Sequence, residues 1–149
     1  MFQCKKTYSN IPLAHRVFKH AGDCQFVHGH SWSFTFVFEG KELNEQGFVV
    51  DLGGLKELKK FVKQFDHGFV IDIDDPLRLE FEEMQDGQGN LAFNIVLSPY
   101  GASSENLAQW LCVVANSILE DMSADAKCVR VEAREDEKNC GVFVAPWFE

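Results

Sequence analysis

Apolar and polar positions along this chain fall into two periods, one of two residues and one of about 3.6. The period of two comes first. Residues 28–39 run His-Gly-His-Ser-Trp-Ser-Phe-Thr-Phe-Val-Phe-Glu, an alternating, aromatic and β-branched pattern that predicts a strand. Upstream, Tyr8, Ile11, Leu13, Val17 and Phe18 predict a less regular strand over residues 3–18, with a bulge near Pro12. Residues 40–47 form a polar turn, and Phe48, Val49 and Val50 extend the pairing, so the two long strands form a hairpin-like pair.

The helical period appears next. Leu55, Leu58, Phe61, Val62 and Phe65 fall on one face of residues 52–65, with Lys56, Glu57, Lys59, Lys60 and Lys63 on the other. Asp51 stands where an N-cap belongs. A second helix is predicted over 104–120, capped by Ser103 or Ser104 and buried through Leu107, Trp110, Leu111, Val114 and Ile118. Between the helices, 77–81 and 91–97 read as short strands around the turn Asp86-Gly87-Gln88-Gly89-Asn90, a β-hairpin inserted at about 73–100. Strands at 128–134 and 142–147, joined by the charged turn 135–139, complete the order β-β-α-insert-α-β-β. That order predicts an α+β fold, a largely antiparallel sheet with both helices on one face.

At 149 residues, with no repeat or linker, the chain reads as a single domain, 1–149. A net charge of −9 argues against non-specific binding to nucleic acid or to an anionic membrane surface. No stretch is apolar enough for a signal peptide or a transmembrane helix. The cysteines at 4, 24, 112, 128 and 140 are odd in number and contain no C-x-x-C pair, which predicts reduced thiols in a cytoplasm. Four of them read as small buried hydrophobes, and Cys24 stands apart because of its position.

Candidate chemistry clusters around His28-Gly29-His30. On a strand the two imidazoles share a face, and Gly29 between them lets another group approach the backbone. His15, on the strand expected to pair alongside, is the candidate third ligand. Three imidazoles leave one tetrahedral position open, the signature of a catalytic rather than a structural zinc. The alternative is a turn with surface histidines and an unrelated His15. Cys24, four residues before His28, is either a buried structural cysteine or a nucleophile or base beside a cation. Asp66-His67 is either a proton shuttle or a helix-terminal pair. His20 reads as solvated, and Arg16, Lys19 and Arg134 are candidate anion ligands.

Ala14-His15-Arg16, Cys24-x3-His28-Gly29-His30-Ser31, Val50-Asp51-Leu52, Asp66-His67, Ser104-Glu105-Asn106-Leu107-Ala108 and Val131-Glu132 occur in the order of the 6-pyruvoyltetrahydropterin synthase superfamily. The chain resembles that family over most of its length except about 73–100, and most resembles its bacterial 6-carboxytetrahydropterin synthase branch, where the cysteine also lies four residues before H-G-H. The resemblance implies a tunnelling fold, in which two helices pack on a four-stranded antiparallel sheet and subunits join into a β-barrel, commonly as a homo-hexamer. It implies zinc on His15, His28 and His30, with Cys24 as general base and Asp66 and His67 as partner acid/base, drawn from the same or a neighbouring subunit. Glu132 would anchor the pterin, with Ser103 and Glu105 as further substrate-binding residues. The implied reaction takes 7,8-dihydroneopterin triphosphate to 6-carboxytetrahydropterin, acetaldehyde and triphosphate, toward queuosine-type nucleosides.

Departures from the family pattern gather around the pterin pocket. Ala102-Ser103 stands for the usual Pro-Thr, Ala133 for a Thr, and Ile71 for an Asn, and the insertion is longer than in the compact bacterial form. Two further readings follow, a pyruvoyl-type synthase that keeps the substrate side chain and a pterin- or purine-binding protein without catalysis.

Overall fold

Trp32, Phe34, Phe36 and Phe38 are sent to one face by the alternation of residues 28–39. Each is fully shielded from solvent in the computed structural model of the chain, which describes residues 1–84 and 87–146. They lie on β2 (His28–Gly40), which pairs antiparallel with β1 (Phe2–His15) and with β5 (Lys127–Arg134). Burying each Phe contributes about 1.5–3 kcal/mol. β1 shifts register between Tyr8 and Ile11, where Asn10 takes φ 58°, so the expected bulge lies just before Pro12. β1 stops at His15 instead of running to residue 18, because the Val17 N–H turns back to the Cys24 carbonyl at 2.8 Å.

The sheet has six strands in the order β4-β3-β1-β2-β5-β6, with β3 (Gly68–Asp72), β4 (Ile95–Ser98) and β6 (Cys140–Val144). This corrects the expected four-stranded antiparallel sheet, because β3 runs parallel to β1 and β4 parallel to β3. Phe69, Val70 and Ile71 are all buried, so β3 is covered on both faces. A strand of that kind carries no alternation to announce it.

Two helices cover the face that holds the aromatic row. α1 (Lys56–Lys63) contributes Leu58 and Val62, and it is shorter than the 52–65 expected. Gly53 and Gly54 disfavour an α-turn, and Leu52–Gly54 forms a 3-10 turn instead, with its Gly53 N–H donating to Asp51 at 3.0 Å. The long helix runs from Ser104 to Asp121 with Ser103 as its cap in a reciprocal box with Asn106. The third helix is the unexpected one. Residues 77–81 lie not on a strand but on the cap and first turn of α2 (Arg78–Glu83), with Leu77 just before the helix and 78–81 within it, so the long helix is α3. The alternation Leu77-Leu79-Phe81 was misleading because Leu79 is 63% exposed and Phe81 alone carries the packing. Phe81 meets Phe69 and Phe93 edge-on, with centroids 5.1 and 5.8 Å away. Phe69 pairs with Ala14, and the next pair, His15 and Val70, points to the core face. α2 therefore covers the opposite face of the sheet from α1 and α3.

Phe48, Val49 and Val50 form no strand. The Asn44 side chain accepts the N–H groups of Gln46 and Phe48 and folds the segment on itself. Of 91–97 only Ile95 onward joins the sheet as a regular strand, and not in a hairpin. Asp86 and Trp147, which the sequence placed in the insertion turn and the last strand, lie outside the described residues.

An ion pair ties the insertion to the end of β1. Arg16 donates two hydrogen bonds of 2.7 Å to the two carboxylate oxygens of Asp75, whose side chain is fully buried. Burial alone raises the Asp75 carboxyl, but the Arg16 hydrogen bonds, the Leu77 N–H and the Arg16 charge outweigh it and hold it below its usual range.

Candidate metal centre

His15 and His28 are direct partners across the β1–β2 ladder, and His30 is two residues along β2 on the same face. The three rings stand 4.6, 5.0 and 5.5 Å apart, centroid to centroid. Strand pairing alone brings them together, with no loop required. Gly29 does not serve the close approach expected of it, since an added Cβ would meet only the Leu13 carbonyl at an ordinary 3.6 Å.

Backbone carbonyls orient the rings. His15 Nδ1 lies 2.6 Å from the Ala102 carbonyl and His28 Nδ1 lies 2.7 Å from that of Phe26. A carbonyl can only accept, so each Nδ1 carries the proton and each Nε2 presents a lone pair. The Nε2 atoms of His15 and His30 are buried with no hydrogen-bond partner, a costly arrangement without a ligand. One ligating atom from each of the three residues lies within 4.8 Å of the others, so the group can hold a metal ion. Burial drives the His15 pKa down to about 4, against the Ala102 carbonyl and with the repulsion of His28 and His30, which keeps the ring neutral as a ligand must be. Trp32 walls the site, its ring centroid 4.9 Å from that of His15, and its indole N–H donates to the Leu13 carbonyl at 3.1 Å.

A carboxylate that the sequence reading missed faces this group. Glu135 places Oε1 3.8 Å from His15 Nε2 and Oε2 3.9 Å from His30 Nε2. Burial raises its pKa, opposed by His30 and His28, while the nearby carboxylates of Asp136 and, less so, Glu105 add to the rise. The signal was present in the second phase of β5. Val131 and Ala133 point to the core opposite Phe36 and Phe34, and two residues on, Glu135 continues that face past the strand end.

Glu132, the expected pterin anchor, lies on the opposite face, beside Thr35 and paired with Arg130 at 3.0 Å. The structure does not bring it to the histidines, because the period of two that points Glu135 inward points Glu132 away. Ser103 is spent as a cap, its hydroxyl accepting from Asn106 N–H at 3.1 Å and donating to the Asn106 side chain at 2.7 Å. Glu105 stands in the first turn of α3, packed so closely on β6 that a Cβ on Gly141 would lie 2.4 Å from its nitrogen. The departure at Ala102 has a plain explanation, since its contribution to the site is a backbone carbonyl.

Cys24 is exposed on a 3-10 turn, Asp23–Gln25, that is tied to the residues after His15 and runs through Phe26 and Val27 into His28. Asp66 and His67 share a hydrogen bond, Oδ1 to Nδ1 at 2.7 Å, on the surface just after α1, with the His67 side chain 83% exposed. His20 is exposed and accepts the Gly22 N–H, as expected of a solvated loop residue. Arg16 is engaged by Asp75 and is not a free anion ligand. All five thiols are free. Cys112 and Cys128 are buried as expected, whereas Cys4 and Cys140 are only partly so.

A family model described as 6-pyruvoyl tetrahydropterin synthase matches residues 4–146. The chain is 28% identical over 116 residues to a 6-carboxy-5,6,7,8-tetrahydropterin synthase of Aquifex aeolicus, covering 76% of this chain and 70% of that one. It is 35% identical over 77 residues to the protein of that name from Rickettsia conorii, spanning half of this chain and 55% of the relative. Among solved structures, an uncharacterized Wolinella succinogenes protein superposes with TM-score 0.82 at 24% identity, over 97% of this chain and 98% of that one. A Plasmodium vivax 6-pyruvoyltetrahydropterin synthase superposes with TM-score 0.64 at 18% identity, over 96% and 98%. These likenesses show the fold.

Proposed function

Because the chain belongs to the 6-pyruvoyl tetrahydropterin synthase family, we propose that it is a zinc-dependent carbon–carbon lyase. The reaction converts 7,8-dihydroneopterin triphosphate to 6-carboxytetrahydropterin with release of acetaldehyde and triphosphate, a step toward queuosine-type 7-deazaguanine nucleosides. The observation that carries this reading is the set of three convergent histidines, two of them with orphaned Nε2 atoms. The branch name shared by the curated relatives favours the carboxy product over the pyruvoyl one.

His15, His28 and His30 would hold Zn2+, and three protein ligands leave a position for substrate. Zinc, when bound, polarises a substrate hydroxyl or carbonyl. The chain's own residues do the rest. Cys24 takes a proton from the substrate side chain as general base. Asp66 fixes the His67 ring as partner acid/base, and its exposure fits a role in the site of a neighbouring copy. Glu135, not Glu132, accepts the paired N–H donors of the pterin edge, as a carboxylate in a sheltered position does best. Glu105 lines the same region, and Ser103 acts through the α3 cap instead of touching substrate.

The strands β4 and β6 end the sheet order, and two such edges suit closure of several copies into a barrel, here proposed as a homo-hexamer. Among the described residues no helix is long and apolar enough to cross a membrane. The free thiols suit a cytoplasmic protein, and the acidic charge argues against direct nucleic-acid binding.

The test is incubation of metal-analysed protein with dihydroneopterin triphosphate, with mass spectrometry of the pterin and an assay for acetaldehyde. The carboxy product with acetaldehyde is expected. A pyruvoyl product would select the sister activity, and no reaction by the zinc-loaded protein would leave a binding protein.

A further inference from the structure

Arg16 touches three parts of the chain at once. Its guanidinium donates through Nε and Nη2 to both oxygens of Asp75, and through Nη1 to the Gln25 carbonyl at 3.3 Å. Gln25 is the residue after Cys24 on the 3-10 turn Asp23–Gln25. Arg16 itself follows His15, so one planar cation spans from a histidine of the metal group to the turn that presents the thiol.

Asp75 holds that cation still. Its side chain is fully buried, and Oδ1 also accepts the Leu77 N–H at 2.9 Å, so both oxygens are satisfied. The guanidinium carbon lies 6.0 Å from the Phe81 ring centroid, and Phe81 is locked against Phe69 and Phe93. A flexible surface arginine could not fix a turn. One clamped by a bidentate partner and an aromatic wall can, because its rotamer freedom is already lost. The turn's other ties among the described residues are short-range: Val17 N–H to the Cys24 carbonyl at 2.8 Å, Gln25 N–H to Gly22 at 3.1 Å, Phe26 N–H to Asp23 at 3.0 Å and the Gln25 side-chain amide to the Ala21 carbonyl at 3.3 Å.

We propose that Asp75 is a positioning residue for Cys24. Acting through Arg16, it makes the insertion a brace that sets the thiol turn against the three histidines. This rests on the reading of Cys24 as the proton-transfer thiol. The insertion, absent from the motifs that carry the family resemblance, thereby takes part in the chemistry without touching substrate.

The test compares Asp75→Asn and Asp75→Glu in the full-length, zinc-loaded protein, each also in a Cys24→Ala background. Asp75→Asn is expected to lower kcat about tenfold with KM and bound zinc unchanged, and Asp75→Glu to recover most of the loss. In the Cys24→Ala background the same change should cost nothing further in residual turnover. Amide exchange at Val17, Gln25 and Phe26 should rise about tenfold, with the β1–β2 ladder amides unchanged. Should Asp75→Asn fail to fold, Arg16→Lys keeps the charge, loses the fork and is measured in the same way. A tenfold loss repeated in the Cys24→Ala background, or unchanged exchange in the turn, overturns the proposal. Full turnover by Cys24→Ala itself overturns the reading of the thiol instead, and the exchange measurement then decides the brace separately.

Discussion

The Glu135 carboxylate lies 3.9 Å from Nε2 of His30, although Glu135 sits beyond the end of β5 and the histidine is the third residue of β2. A sheltered carboxylate that faces the Nε2 atoms of His15 and His30 can accept a hydrogen bond from a donor outside the chain. Glu135→Gln should weaken pterin binding by about 1.5–3 kcal/mol, some 10- to 100-fold in Kd. Glu132→Gln, on the opposite face, should change it less than twofold. Fluorescence titration of metal-loaded protein measures both, and a larger effect at Glu132 would return the anchor to that residue.

Each of the three histidines should be required for metal. Wild type is expected to bind one zinc per chain and to melt at a temperature that rises with free zinc, since only the folded chain presents the site. His15→Ala, His28→Ala and His30→Ala should each abolish that dependence. Elemental analysis and calorimetry read the two effects, and full zinc occupancy in any of the variants would remove that residue from the ligand set.

Cys24→Ala should retain zinc and pterin affinity while turnover falls at least about 100-fold, the loss typical of a removed acid or base. Its exposed turn packs nothing in the core, so stability should move by less than about 0.5 kcal/mol. Equal kcat in the variant excludes the thiol from the reaction.

Besides the Arg16–Asp75 pair, the insertion is packed through Phe81 and not through the exposed Leu77 and Leu79. Phe81→Ala should destabilise the chain by about 1.5–3 kcal/mol, because it removes one of three mutually packed rings, leaving only the Phe69–Phe93 pair. Leu79→Ala, at a 63% exposed position, should cost under about 0.5 kcal/mol. Urea denaturation separates the two, and similar costs would favour the alternating strand that the sequence suggested.

Asp75 also makes stability depend on pH. Its carboxyl titrates lower in the folded chain than in the unfolded one, so the folded state binds fewer protons there. The stabilisation is fully present above the unfolded pKa, about 3.9, and is lost as pH falls through the lowered folded value. The stability difference between wild type and Asp75→Asn should therefore be constant from pH 6 to 8 and shrink toward pH 3. A difference that grows on acidification would contradict the assigned direction.

The sequence by itself determined which side chains share a face. The period of two put His28, His30, Trp32, Phe34 and Phe36 together on β2, and the period of 3.6 fixed the buried stripe of α3. It therefore determined the histidine pair and, through the neighbouring strand, the third ligand candidate. Tertiary structure decided the rest. Phe69, Val70 and Ile71 are covered on both faces and so show no period, which hid β3 and with it the parallel half of the sheet. Leu77, Leu79 and Phe81 do alternate, yet both leucines are exposed and Phe81 packs on Phe69 of β3 and on Phe93. Glu132 and Glu135 differ by three positions and therefore by face, and only the β2–β5 register shows which face holds the histidines. Periodicity is written in neighbours along the chain, whereas strand order, register and the Asp75–Arg16 clamp are contacts between residues far apart in sequence, which no local pattern encodes.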